Sequence, residues 1–245
     1  MKTELLRLVR PLPARPIGRA SKVCVSGGIG SGKSALTEAL ARLGAVRFDA
    51  DEVLRQATGV GGVALPALRE AFGSGVFASD GVLDRAALAR VVFADASAKA
   101  RLESILHPLV WEEMDRVVAG LTLAETLIAE IPLITETGNH GRFDVVIMVD
   151  APVETRVERL AKRGMTEADA RARIGAQATR EERESIAHLW VENTGSPADL
   201  EDVARELWEI LQSWDDGGVL CRPTMINPMS EKPLLPRDLV ENPIL

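Results

Sequence analysis

The segment Gly27-Gly-Ile-Gly-Ser-Gly-Lys-Ser34 constrains the fold of this chain more than any other stretch. It satisfies the pattern G-x-x-x-x-G-K-[ST] in full. Its glycines let successive main-chain N–H groups turn into one concavity, which holds phosphate oxygens. Ahead of it lies the short apolar run Val23-Cys-Val25. Behind it, apolar residues recur at 36, 39, 40 and 43, the spacing of a helix. A strand, a glycine loop and a helix in that order form the context in which the pattern is a phosphate site, because the positive end of the helix adds to the cradle. Gly44 ends the helix, and residues 45–48 read as a second strand. Strand, loop, helix and strand make a βαβ unit, hence an α/β fold with a parallel sheet.

Residues 53–120 carry helical patterns, among them 85–93 and 97–118, with no convincing strand. They read as a helical insertion between the second and third strands. The helix over 97–118 is expected to kink or break near His107-Pro108, since proline has no N–H for the i−4 carbonyl. Strands resume at 127–131 and 145–149, the latter apolar throughout, as a strand buried on both faces should be. A helix over 153–162 follows, then one opened by Thr166 in a capping pattern and reaching about residue 177. A last strand at 189–192 and a helix over 197–214 complete the pattern. The sequence thus predicts five parallel strands flanked by helices in one domain over 21–213. Residues 1–20, with Pro11, Pro13 and Pro16, read as a flexible extension. Residues 214–245, with five prolines and no periodicity, read as a tail.

Charge narrows the partners. The chain has 29 basic and 36 acidic residues, a net charge of −7. A surface of that balance repels nucleic-acid phosphates, although a local cradle of N–H groups can still hold a small polyanion. No apolar run approaches the roughly 18 residues of a membrane span, and the first twenty residues lack the apolar core of a secretory signal. Cys24 and Cys221 form no metal-binding spacing and fit a reducing compartment. The expectation is a cytoplasmic monomer or weak homo-oligomer acting on a small molecule, with neither nucleic acid nor membrane as partner.

The loop assigns chemistry to its neighbours. Lys33 can reach the outer phosphates as a point charge, and the Ser34 hydroxyl is placed for Mg²⁺. Asp49 and Asp51 close the second strand, where alternation would aim both carboxylates the same way, into the crevice at the strand ends. One would hold Mg²⁺ or its waters and the other accept a proton from an attacking hydroxyl. Capping of a helix beginning near Glu52 is the structural alternative. Arg156, Arg159, Arg163, Arg171, Arg173, Arg180 and Arg183 crowd 28 residues. Most should form a solvated, ion-paired face, and two or three should meet phosphate on a mobile flap. His140 and His188 suggest no chemistry. His107, in the helical insertion, is a candidate substrate contact.

Several stretches together resemble the dephospho-coenzyme A kinase family. They are Ser26-Gly-Gly-Ile-Gly-Ser-Gly-Lys-Ser34, Phe48-Asp-Ala-Asp51, Gly81-Val-Leu-Asp-Arg85, Leu106-His-Pro-Leu109, Ile131-Pro-Leu133 with Glu136, Ala176-Gln-Ala-Thr-Arg180 and Val191-Glu-Asn-Thr-Gly195. The resemblance spans roughly residues 22–212. It implies ATP-dependent phosphorylation of the ribose 3′-hydroxyl of dephospho-CoA with Mg²⁺. It also implies a P-loop kinase core, a helical substrate-binding insertion at about 53–120 and a helical lid at about 160–187. By this resemblance Asp51 is the base, and Asp49 is left to Mg²⁺ or substrate positioning. Gly28, Gly30, Ser31, Gly32, Lys33, Ser34 and Ala35 hold the phosphates. Arg159, Arg163 and Arg180 stand near ATP, Asn193 and Gly195 beside adenine, and His107 near the substrate. Ala35 stands where Thr is usual, and Glu130 where many members carry Asp; with its longer arm, Glu130 can still hold a metal-bound water.

Two other readings compete. A kinase for another nucleoside-like molecule would share the core, but Leu106-His-Pro-Leu109 argues against it. A nucleotide-binding regulator without transferase activity would be expected to lose Lys33 or the acid pair, and both are present.

Overall fold

The structure is a computed structural model that describes residues 5–214. In chain order the elements are β1 (Leu6–Leu8), β2 (Ser21–Gly27), α1 (Lys33–Arg42), β3 (Val46–Phe48), α2 (Ala50–Ala57), α3 (Leu65–Phe72), α4 (Arg85–Ala94), α5 (Ala96–Gly120), β4 (Thr126–Glu130), α6 (Ile134–Thr137), β5 (Val145–Asp150), α7 (Val153–Ala161), α8 (Glu167–Gly175), α9 (Arg180–Ile186), β6 (Leu189–Glu192) and α10 (Pro197–Gln212). Six strands form one sheet in the order β1-β6-β5-β2-β4-β3. All pairings are parallel except β1 with β6.

The expected count of five strands is therefore corrected to six. The sixth comes from the stretch read as a flexible extension. Leu6 is almost wholly buried in the core, and Arg7 lies in register with Trp190. Main-chain bonds from Glu192 N–H to Leu5 O and from Val9 N–H to His188 O, both 2.8 Å, tie the segment to β6. The prolines that rule out a helix there all follow the strand, where an edge tolerates them. The expected tail lies outside the described residues except for Trp214, which is buried and donates its indole N–H to Pro13 O at 2.7 Å.

Alternation along the central strands explains why their sequences are apolar throughout. Val23 and Val25 face α1 and α10, meeting Leu36, Leu40, Val203 and Leu207. Cys24 faces the other side with Met148 and Trp190, against Val110, Met114 and Val118 of α5. Between β3 and β4 the chain runs through α2 to α5, which share a separate core around Leu68, Val76 and Leu88. Of the kink or break expected at Pro108, the break does not occur: α5 is continuous over 25 residues with Pro108 inside it. Packing on both sides of the proline, by Leu102 and Ile105 before it and by Val110 and Met114 after it, outweighs one missing main-chain bond. Among the described residues no helix is long and apolar enough to cross a membrane.

Candidate active site

The carboxyl ends of the parallel strands meet along one edge of the sheet. Val25 is in register with Glu130, Gly27 with Val149, and Asp150 with Glu192. That edge is where ligands bind in open α/β sheets. The glycine loop leaves β2 there and turns into α1 through Gly32, whose φ of 103° is left-handed. A side chain at Gly32 would be strained and would collide with the Asn193 amide. Likewise, a Cβ at Gly28 would overlap the Arg156 guanidinium. No side chain caps α1, so its first-turn N–H groups remain for a ligand.

Lys33 is buried, and its Nζ donates to Gly28 O at 3.0 Å. Burial lowers its pKa; nearby Arg156, Arg163 and Arg183 push the same way, and Glu130 opposes them. Ser31 Oγ is fully buried with no hydrogen-bond partner. Ser34 Oγ donates to Glu130 Oε1 at 3.0 Å, which sets a hydroxyl and a carboxylate side by side at the loop. An open cradle of N–H groups, an orphaned hydroxyl and a buried ammonium fit a polyphosphate. Ser34 with Glu130 offers the hard oxygen donors that Mg²⁺ takes. Among the described residues no cluster of three or more His, Cys, Asp or Glu could hold a metal unaided.

The acid pair does not sit as strand alternation predicts. The strand ends at Phe48, and Asp49 is the N-cap of α2, its Oδ1 accepting the Glu52 N–H at 3.0 Å. Capping wins because Asp at the N-cap satisfies an otherwise orphaned donor. Asp51 lies in the first turn of α2, exposed, its carboxylate without a hydrogen bond or ion pair among the described residues. A cleft of about 800 Å³ opens beside Asp49, between α2, the loop carrying Val60 and Val63, and α5. His107 lines a separate groove of about 440 Å³ with Trp111 and Arg142.

The arginines divide by partner. Arg159 donates from Nη1 to Ser31 O at 3.1 Å and from Nη2 to Asn193 O at 3.0 Å, so it braces the loop through its carbonyls. Asn193 is buried, and its side chain donates to Ser31 O at 2.7 Å. Gly195 leaves room for the Asp199 carboxylate, which caps α10 through the Ser196 N–H. Arg180 is ion-paired with both Asp150 and Glu192. Arg171 pairs with Glu154 and Glu167. Arg163 is exposed, its guanidinium without a partner among the described residues.

Four residues that the sequence reading did not single out hold the site together. Arg156 is buried, and its Nε donates to Ile29 O at 2.8 Å. Gln177 accepts the Ile29 N–H at 2.7 Å. Arg183 is buried against Asp150, with Nη2 to Oδ1 at 3.0 Å, and its Nε is a buried donor without a partner. Asp150 thus gathers Arg180 and Arg183. The signal was present: Arg156 shares the inward stripe of α7 with Val157 and Leu160, and a cation on an apolar stripe needs an internal partner.

The sequence profile of the dephospho-CoA kinase family fits residues 21–199. A dephospho-CoA kinase of Mycolicibacterium paratuberculosis is 45% identical over 188 residues, covering 76% of this chain and 46% of that protein. The chain therefore spans about half the length of that relative. The dephospho-CoA kinase of Thermobifida fusca is 43% identical over 192 residues, covering 78% of this chain and 96% of that protein. Among solved structures, TT1252 from Thermus thermophilus superposes with a TM-score of 0.66 at 35% identity, over 78% of this chain and 98% of that one. With the phosphate cradle, the buried lysine and the hydroxyl–carboxylate pair on one sheet edge, these matches show that the chain belongs to the dephospho-CoA kinase family.

Proposed function

We propose that this chain transfers the γ-phosphoryl group of ATP to the ribose 3′-hydroxyl of dephospho-CoA, giving CoA and ADP. The observation that carries the reading is the buried Lys33 in an uncapped glycine cradle, next to the Ser34–Glu130 pair, in a chain of this family. Lys33 stabilises charge on the transferring group from a desolvated position, where a cation acts more strongly than in water. Asp51, whose carboxylate has no partner among the described residues, accepts the hydroxyl proton as oxygen attacks phosphorus and the bond to ADP breaks. Mg²⁺, when bound, neutralises phosphate charge; Ser34, Glu130 and the Asp49 oxygen not used in capping are the donors that would hold it or its waters. The segment carrying α8 and α9 serves as a lid, and α2 to α5 with the cleft beside Asp49 receive the acceptor. His107, also on α5, lines the separate groove and is a further candidate contact with the acceptor. The net acidity and the small-molecule acceptor extend the reading to a cytoplasmic enzyme without nucleic-acid partners.

The test is a coupled ADP-release assay on purified protein with ATP and Mg²⁺. Dephospho-CoA should support turnover, whereas adenosine and pantetheine should not. Lys33→Ala should lower kcat at least about 10²–10³-fold. Turnover on adenosine with none on dephospho-CoA overturns the reading.

A further inference from the structure

The N-terminal strand lies outside the residues that the family profile covers, yet it touches α9, the helix that carries Arg180 and Arg183. Arg7 of β1 donates to Glu184 Oε1 of α9 at 2.6 Å. The Arg7 guanidinium also lies over the Trp190 ring, 5.1 Å from its centroid. The Arg180 guanidinium, from the first turn of α9, rests over the same ring at 4.8 Å. Trp190 is fully buried and fixed by its indole N–H to Glu192 Oε1 at 2.9 Å. Both guanidinium groups thus rest on one aromatic ring.

The helix α9 has seven residues, too few to hold its shape by main-chain bonds alone. Its start is held by the Thr179–Glu182 capping box and by Arg180 and Arg183 on Asp150. Its far half is tied at Glu184 to a strand that is itself bonded to β6 on both sides of Arg7. Arg183 Nη1 also donates to Ala178 O at 2.9 Å, next to Gln177, whose side chain accepts the Ile29 N–H of the phosphate loop, so a shift of α9 reaches the loop.

We propose that Arg7 is a positioning residue for the nucleotide site. The ion pair with Glu184 and the stack over Trp190 hold α9, with Arg180 and Arg183, against the sheet edge. The inference rests on the loop being the ATP site.

The experiment uses the full chain. Removing a half-exposed ion pair does little to global stability, so the effect should be local. Arg7→Ala should speed amide exchange in residues 180–186. It should raise KM for ATP by about threefold to tenfold, through loss of one ion pair and one cation–π contact. KM for dephospho-CoA and Tm should stay unchanged. Arg7→Lys, which keeps the charge on Glu184, should recover most of the loss. Arg15→Ala, whose guanidinium reaches Leu123 O at the other end of the segment, should do nothing. Unchanged exchange in 180–186, an unchanged KM for ATP, or an equal shift in Arg15→Ala overturns the proposal. So does a fall in Tm with both KM values rising together. If the wild-type chain fails to turn over dephospho-CoA, the proposed acceptor falls, and equilibrium binding of ATP to Arg7→Ala decides this inference in place of KM.

Discussion

The side-chain oxygen of Gln177 accepts the main-chain N–H of Ile29 at 2.7 Å, across 148 positions of sequence. The same oxygen takes Arg156 Nη2 at 3.1 Å, while Arg156 Nε donates to Ile29 O at 2.8 Å. Both main-chain groups at the tip of the phosphate loop are therefore satisfied from outside it. The neighbouring Ala178 N–H donates to Glu136 Oε1 at 2.9 Å, which fixes the α8–α9 connection from the other side. The loop is pre-organised by side chains that are not part of its own motif.

Gln177→Ala should therefore loosen the loop. Leaving the Ile29 N–H without its acceptor should cost about 1 kcal/mol in denaturant unfolding. Affinity for ATP should fall several-fold, since the cradle would have to be ordered on binding. Equal stability and ATP affinity in the variant and the wild type would show that the Gln177 contact does not organise the loop.

Arg163, Arg171 and Arg180 should behave differently on alanine substitution. Arg163 has no partner to lose among the described residues, yet its charge acts on Lys33 and, behind burial, on Arg159. Its removal should lower kcat/KM for ATP and leave Tm unchanged. Arg171 is held in exposed pairs with Glu154 and Glu167, which contribute little. Its removal should change neither quantity. Arg180 bridges Asp150 and Glu192, so its removal should lower both. Steady-state kinetics beside thermal unfolding reads all three, and equal small effects would leave the proposed lid without an arginine role.

Stability should weaken below about pH 6.5 through His188. Its Nδ1 accepts the Val146 N–H at 3.1 Å, so the bond requires the neutral ring. Burial, then the charges of Arg10 and His140, lowers its pKa from the ordinary 6.5. The unfolded chain therefore takes up the proton first. Above 6.5 neither state is charged and nothing is lost. As pH falls below it, the unfolded state is favoured until the folded histidine also titrates. Tm measured between pH 8 and 5 should fall on the acid side, and His188→Gln should flatten that slope. A slope unchanged in His188→Gln would assign it to other groups.

How much was legible in the sequence follows from how local each signal is. The strands β2, β5 and β6 are buried on both faces, so their apolar runs announce them. The edge strand β1 has three residues and exists because β6, more than 180 positions away, offers open main-chain groups. Asp49 was legible as an acid beside a helix start, and the cap decides its geometry. Arg156 and Arg183 were hidden among seven arginines in 28 residues, because charge density alone does not tell a solvated arginine from one that faces a loop carbonyl or a buried carboxylate. Their positions on the inward stripes of α7 and α9 carry that information.

Asp51 and Asp49 should separate by phenotype. Asp51→Asn keeps size and shape and removes only the ability to accept a proton as a carboxylate. The carboxylate has no hydrogen bond to lose among the described residues, so substrate binding and Tm should hold while kcat falls. General-base removal lowers rate by about 10²–10⁴-fold. A loose transition state needs less proton removal before attack, which favours the lower end. Asp49→Asn keeps the cap of α2, because asparagine caps as well as aspartate, so the fold should be unaffected there too. What it loses is a negative charge beside the 800 Å³ cleft. That loss should raise the Mg²⁺ concentration needed for half-maximal rate and be partly reversed by added Mg²⁺. The measurement is kcat against Mg²⁺ concentration for both variants. Rescue of Asp51→Asn by Mg²⁺, with Asp49→Asn inactive at every concentration, would show the two roles to be exchanged.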